Sequence, residues 1–174
     1  MLLETERLLL RPYKMADLAT YHALRSDPKV LRYSSTVPHE TLAQSRRNIR
    51  KTKFHTLLEK DSGTYIGEAG ILSVIPRANR CVIGYNLLPA FWGQGYATEI
   101  SKALVSYAFD VLQLERVEAM AQSENLASRR VLEKSGFALE GILRHFAYIG
   151  GTYRDVCYYG ILQSDRETSK GADA

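Results

Sequence analysis

The chain has 174 residues, 45% hydrophobic and 24% charged, with a formal net charge of +4. That suits one soluble domain large enough to bury a core without staples. It excludes a low-complexity chain, and no apolar run is long enough to span a membrane. The start, "MLLETERLLLRPY", is too charged for a secretory signal, so a cytoplasmic location is expected. Cys81 and Cys157 fit no metal or disulfide spacing and are expected to be free thiols; no metal site is expected.

In chain order, Leu2 to Arg11 reads as a strand with Leu8 and Leu10 on one face, stopped by Pro12. Asp17 is placed to cap a short helix running to Arg25, and "SDP" breaks it. Thr41 to Lys51 reads as a helix. It overlaps "QSRRNIRKTK" at 44–53, which carries five basic residues and no acid. Such a cluster suits a solvated face or an anionic partner. Without a stacking platform or a recognised reader helix, nucleic-acid binding is not expected.

Lys53–Glu59, Thr64–Val74 and Cys81–Leu87 read as consecutive strands joined by "KDSG" and "IPRANR", an antiparallel meander. The rhythm then changes. Ala97 to Leu112 shows Ile100, Leu104, Tyr107 and Val111 at helical spacing. Residues 115–121 alternate as a strand. "NLASRRVLEKSGF" reads as a capped helix ending at Gly136. Ala138–Ile149 and Arg154–Leu162 follow as strands around "GGT", and "QSDRETSKGADA" reads as a frayed tail. The sum is an α/β chain with a mixed sheet.

Two stretches carry chemistry. In "PAFWGQGYATE", Gly93 and Gly95 lie between a strand and a helix start. The first N–H groups of a helix lack internal partners, and with the helix dipole they form an anion site that suits a pyrophosphate. The stretch is neither a GxxxxGK[ST] loop nor GxGxxG, and a plain tight turn would use the same glycines. In "NLASRRVLEKSGF", Asn125, Ser128 and Leu132 share a helical face by spacing. An amide and a hydroxyl then point one way, although a cap and a filler would look alike.

"TERLLLRPY", "IGYNLLPAFWGQGYATE" and "NLASRRVLEKSGF" together resemble the GNAT superfamily of acyl-CoA N-acyltransferases, most closely its Rim-type branch, which contains ribosomal-protein N-terminal acetyltransferases. The resemblance spans residues 1–165 and leaves 166–174 as a polar tail. It implies a splayed mixed sheet flanked by helices, and acetyl-CoA as donor to a primary amine. The pyrophosphate would rest on the backbone of Gln94, Gly95, Tyr96, Ala97 and Thr98. Leu87 and Leu88 would pair with the pantetheine arm like an added strand, and Asn125 would bond it from the other side.

Where many members place a thiolate-protonating tyrosine this chain has Leu132, and Ser128, one turn earlier, matches the serine of some Rim-type enzymes. Where relatives read "EIGY", this chain reads "VIGY", so Val82 replaces a candidate base. Glu68, Asp155 and His145 remain as candidates, each of a residue type more often structural. An α-amine with a pKa of about 8 is roughly a tenth neutral at pH 7, whereas lysine, near 10.4, is almost wholly charged. A missing base therefore favours an N-terminal or other low-pKa amine. Small amines such as an antibiotic or polyamine, and a catalytically silent acyl-CoA sensor, are the alternatives. A homodimer is compatible with the sequence.

Overall fold

The computed structural model describes residues 2–166, so the tail expected at 167–174 lies outside the described residues. The chain forms two units, one of residues up to Gly70 plus Tyr85–Ile100, the other of Ile71–Gly84 plus Ser101 onward. Strands are hydrogen-bonded in the order β1-β2-β3-β4-β5-β6-β8-β7.

The first unit opens with β1 (Leu3–Glu4) and β2 (Leu8–Arg11), which pair antiparallel through Leu3↔Leu10 and Glu4↔Leu9. The single strand expected over 2–11 is thus a hairpin. The Thr5 amide donates to the Leu8 carbonyl at 2.9 Å, and the Leu8 amide donates to the Thr5 hydroxyl at 3.0 Å, folding the chain back. Leu8 and Leu10 are fully buried on one face, as the period of two predicts.

After a single 3-10 turn comes α1 (Leu18–Ser26). Asp17 occupies its cap position, but its carboxylate accepts from Arg11 at 2.8 Å and from the Lys14 amide at 2.7 Å instead of capping α1. Helix α2 (Pro28–Leu31) is short, and α3 (Leu42–Asn48) is opened by a Thr41–Gln44 capping box. The unit continues with β3 (His55–Glu59), β4 (Tyr65–Ile75) and β5 (Arg80–Leu87), the last two running on into the second unit. At Gly67 a Cβ would run into the Asn86 carbonyl oxygen, so only glycine allows this approach of β4 and β5.

Helix α4 (Tyr96–Asp110) starts in the first unit and ends in the second. Its buried stripe is Ile100, Leu104, Val105, Ala108 and Phe109, whereas Val111 lies beyond the helix end and is exposed. In the second unit β6 (Arg116–Gln122) runs parallel to β5 over three residue pairs, Arg80–Val82 with Arg116–Glu118. Helix α5 (Leu126–Lys134) follows, then β7 (Ala138–Ile149) and β8 (Thr152–Leu162). The glycine pair 150–151, both at positive φ, returns β8 between β6 and β7, antiparallel to each. The sheet is therefore mixed, splayed and mostly antiparallel. Residues 163–166 are helical, not frayed, and Arg166 pairs with Asp110. Cys81 and Cys157 are buried and free.

Candidate active site

The glycine-rich turn lies in the first unit. A 3-10 turn at Pro89–Phe91 leads from β5 to the loop, and the Trp92 indole N–H donates to the Leu87 carbonyl at 2.8 Å. Gly93 (φ 75°) and Gly95 (φ 84°) are left-handed, a region that other residues enter at a cost. The first helical bond of α4 runs from the Glu99 amide to the Gly95 carbonyl, 3.0 Å. The amides of Tyr96, Ala97 and Thr98 thus precede the helical ladder, where an anion can be held. A diphosphate fits this start: the glycines carry no Cβ over it, and Gly93, Gln94 and Gly95 are exposed.

Two backbone positions expected to meet the cofactor arm are partly committed. The Leu88 amide donates to the Ile66 carbonyl at 3.0 Å, and the Leu88 carbonyl accepts from Phe91 at 3.0 Å. Leu88 therefore cannot offer its amide to an added strand, and the Leu87 carbonyl already accepts from the Trp92 indole.

Arg7 and Glu99 brace the loop, and the sequence reading missed both. The Arg7 Nη1 donates to the Gln94 carbonyl at 3.1 Å, and Nε donates to Glu99 Oε2 at 2.7 Å. The guanidinium carbon lies 4.4 Å from the centre of the Tyr96 ring. Glu99 also accepts from the Thr5 hydroxyl at 2.6 Å and from the Arg7 amide at 3.0 Å. Burial works to raise the Glu99 pKa, but these hydrogen bonds and the Arg7 charge outweigh it and hold the carboxyl below its ordinary value.

Glu68, on β4, is fully buried in the same unit. Its Oε1 lies 2.7 Å from Arg25 and accepts from the Asn86 amide at 2.8 Å. Its Oε2 accepts from the Tyr13 hydroxyl at 3.1 Å, and Tyr13 is 2.8 Å from the Tyr65 hydroxyl. Burial pushes the Glu68 pKa up, with Arg25 opposing, and pushes Tyr13 and Tyr65 up as well. Arg25 had a sequence signal: with Tyr21 and Leu24 it forms the buried face of α1, and a cation there needs a buried acid. The basic cluster forms a separate feature, in which Arg46, Arg47, Arg50 and Lys51 line an open cavity of about 620 Å³ with Met15.

The second unit holds the other candidates. Asn125 is the N-cap of α5, its side-chain oxygen accepting from the Ser128 amide at 3.1 Å. It therefore precedes the helix instead of sharing a helical face with Ser128 and Leu132. Ser128 is half-buried in the first turn, and Leu132 is buried. Asp155 Oδ1 accepts from the His145 amide at 2.8 Å, across an irregularity in the β7–β8 register. His145 has φ 52°, and its ring stacks on Tyr153. The Asp155 carboxylate thus stabilises a strained bulge.

The pattern of an "Acetyltransferase (GNAT) domain" matches residues 7–138. The chain belongs to this family. Its GNAT relatives include the uncharacterized N-acetyltransferase YoaA of Bacillus subtilis, 33% identical over 173 residues, covering 93% of this chain and 97% of that one. The spermidine N(1)-acetyltransferase of Escherichia coli K12 is 27% identical, covering 88% and 85%. A solved GNAT-family acetyltransferase from Bacillus anthracis superposes with a TM-score of 0.87 at 28% identity, covering 94% of this chain and 99% of that one. The mixed, splayed sheet is thus that of a GNAT acetyltransferase. Among the described residues, no helix is long and apolar enough to cross a membrane.

Proposed function

We propose that the chain transfers an acetyl group from acetyl-CoA to a primary amine of low pKa, with a protein N-terminal α-amine, as in the Rim-type branch, the acceptor it suits best. The carrying observation is the loop at 93–98, two left-handed glycines opening onto the unladdered amides of α4. We take the cofactor diphosphate to sit on the backbone of Gln94, Gly95, Tyr96, Ala97 and Thr98. The Leu87 backbone would flank the thioester arm. Family resemblance assigns Asn125 to the same arm and Ser128 to the departing thiolate, and we keep both as proposals.

The amine attacks the thioester carbonyl directly, and its proton must leave. With no exposed surface, Glu68 acts through Tyr13 and Tyr65 rather than by touching the amine. Tyr65 accepts the amine proton and passes its own to Tyr13, and Tyr13 passes its own to Glu68. Asp155, tied to the His145 amide, has no part in this scheme. Val82 supplies no proton acceptor, which favours amines already partly neutral at pH 7.

Polyamines are the competing acceptor class, since one relative is a spermidine N(1)-acetyltransferase. The test is thiol release from acetyl-CoA across a panel of α-amino peptides, N-blocked lysine peptides and polyamines. Turnover confined to polyamines would overturn the acceptor class, and no release with any amine would overturn the reaction.

A further inference from the structure

A carboxylate in the first turn of a helix is unfavourable beside a bound anion, because it adds negative charge where the phosphates must arrive. Glu99 stands in that first turn. Its hydrogen bonds keep it ionised, so its charge has to be cancelled locally. Arg7 cancels it, with contacts of 2.7 Å from both Nε and Nη2 to Glu99 Oε2.

The remaining fork of the same guanidinium reaches the loop itself, where Nη1 holds the Gln94 carbonyl at 3.1 Å. In a trans peptide the carbonyl and the following N–H point in opposite directions. No cis bond occurs among the described residues. Fixing the Gln94 oxygen on Arg7 therefore turns the Gly95 N–H away from Arg7. This peptide has Gly95 on its C-terminal side, where no Cβ resists a change in φ, so it needs an outside contact to fix it. The Arg7 ring contact on Tyr96 and the Thr5 bond to Glu99 hold the clamp in place.

We propose that Arg7 is a positioning residue for donor binding: it neutralises Glu99 and, by holding the Gln94 carbonyl, aims the Gly95 amide at the cofactor diphosphate. This rests on the loop at 93–98 being the diphosphate site. Arg7 acts through Glu99 and the Gln94–Gly95 peptide, not by chemistry on the thioester.

The test compares acetyl-CoA with S-acetyl-pantetheine, which has the thioester and arm but no diphosphate. CoA affinity is also read by calorimetry, without turnover. Arg7→Met should weaken CoA binding by about tenfold, the effect of losing a hydrogen bond to a charged group. It should raise KM for acetyl-CoA with little change in kcat, and leave kcat/KM for S-acetyl-pantetheine near wild type. Arg7→Lys keeps the charge but not the fork, and should recover only part of the affinity. Adding Glu99→Gln to Arg7→Met should restore part of it by removing the unpaired charge. Equal losses for both donors, or unchanged CoA affinity in Arg7→Met and Arg7→Lys, would overturn the clamp. A wild-type protein without CoA affinity would overturn the underlying assignment and the clamp together.

Discussion

The Glu68 carboxylate lies 2.7 Å from the Arg25 guanidinium, and no part of Glu68 reaches water. Asn86 and Tyr13 occupy further lone pairs of the carboxylate. A charge buried in this way is tolerated only while its partner stays. Arg25→Met should therefore cost about 3–5 kcal/mol in denaturant unfolding, because it strands a buried carboxylate. Glu68→Gln in that background should recover part of the loss. A loss under about 1 kcal/mol for Arg25→Met would mean that water enters the site.

The same pair sets a pH dependence. Burial raises the Glu68 pKa above its ordinary value of 4.5, with Arg25 opposing. A raised folded-state pKa contributes stability that is full below 4.5 and is lost as pH rises through the folded value. Removing Arg25 lifts the folded value further. The stability deficit of Arg25→Met should then be smaller at about pH 5 than at about pH 8. Unfolding curves at both values check this, and a deficit independent of pH would count against a coupled titration.

Gly95→Glu places a negative side chain at a left-handed position, φ 84°, beside the proposed diphosphate site. Acetyl-CoA affinity should fall by roughly a hundredfold or more, from backbone strain and charge repulsion together. Gly95→Ala, with its Cβ about 3.4 Å from the Arg7 guanidinium and so without a hard clash, should show the strain alone. Calorimetry with CoA measures both.

Ser128→Ala should lower kcat by about 10²-fold if the hydroxyl protonates the thiolate, with little change in acetyl-CoA affinity. Asn125→Ala differs in kind. It removes the α5 cap and should cost about 1 kcal/mol of stability, whatever it does to turnover. Steady-state kinetics on the first and thermal unfolding of the second separate these effects.

Near pH 7 an α-amino peptide should outrun the same peptide N-blocked with an internal lysine, and the lysine should gain about tenfold per pH unit. Val82→Glu tests the missing base. Val82 is the register partner of Glu118, so a new carboxylate there would stand beside an existing one. Arg80 and Arg116 already pair with Glu118, so the new carboxylate should stay ionised near neutral pH and the gap between the peptides should narrow there. Equal rates for both peptides in the wild type would show a base stronger than the tyrosine relay.

What the sequence determined by itself was local. Alternation buried Leu8 and Leu10, the glycine loop opened a helix at Tyr96, and Asn125 and Gly136 bounded α5. These follow from backbone sterics and side-chain periods, which act over a few residues. Motif order was enough to bring out the family. The tertiary structure decided what depends on distant partners. The turn at Thr5 split the first strand, β8 inserted between β6 and β7, and Asp155 was committed to a bulge. Above all, Arg7 meets Glu99 across 92 residues, and Arg25 meets Glu68 across the core. No spacing rule reaches that far, because the charge that makes each pairing necessary is felt only once folding removes the water around it.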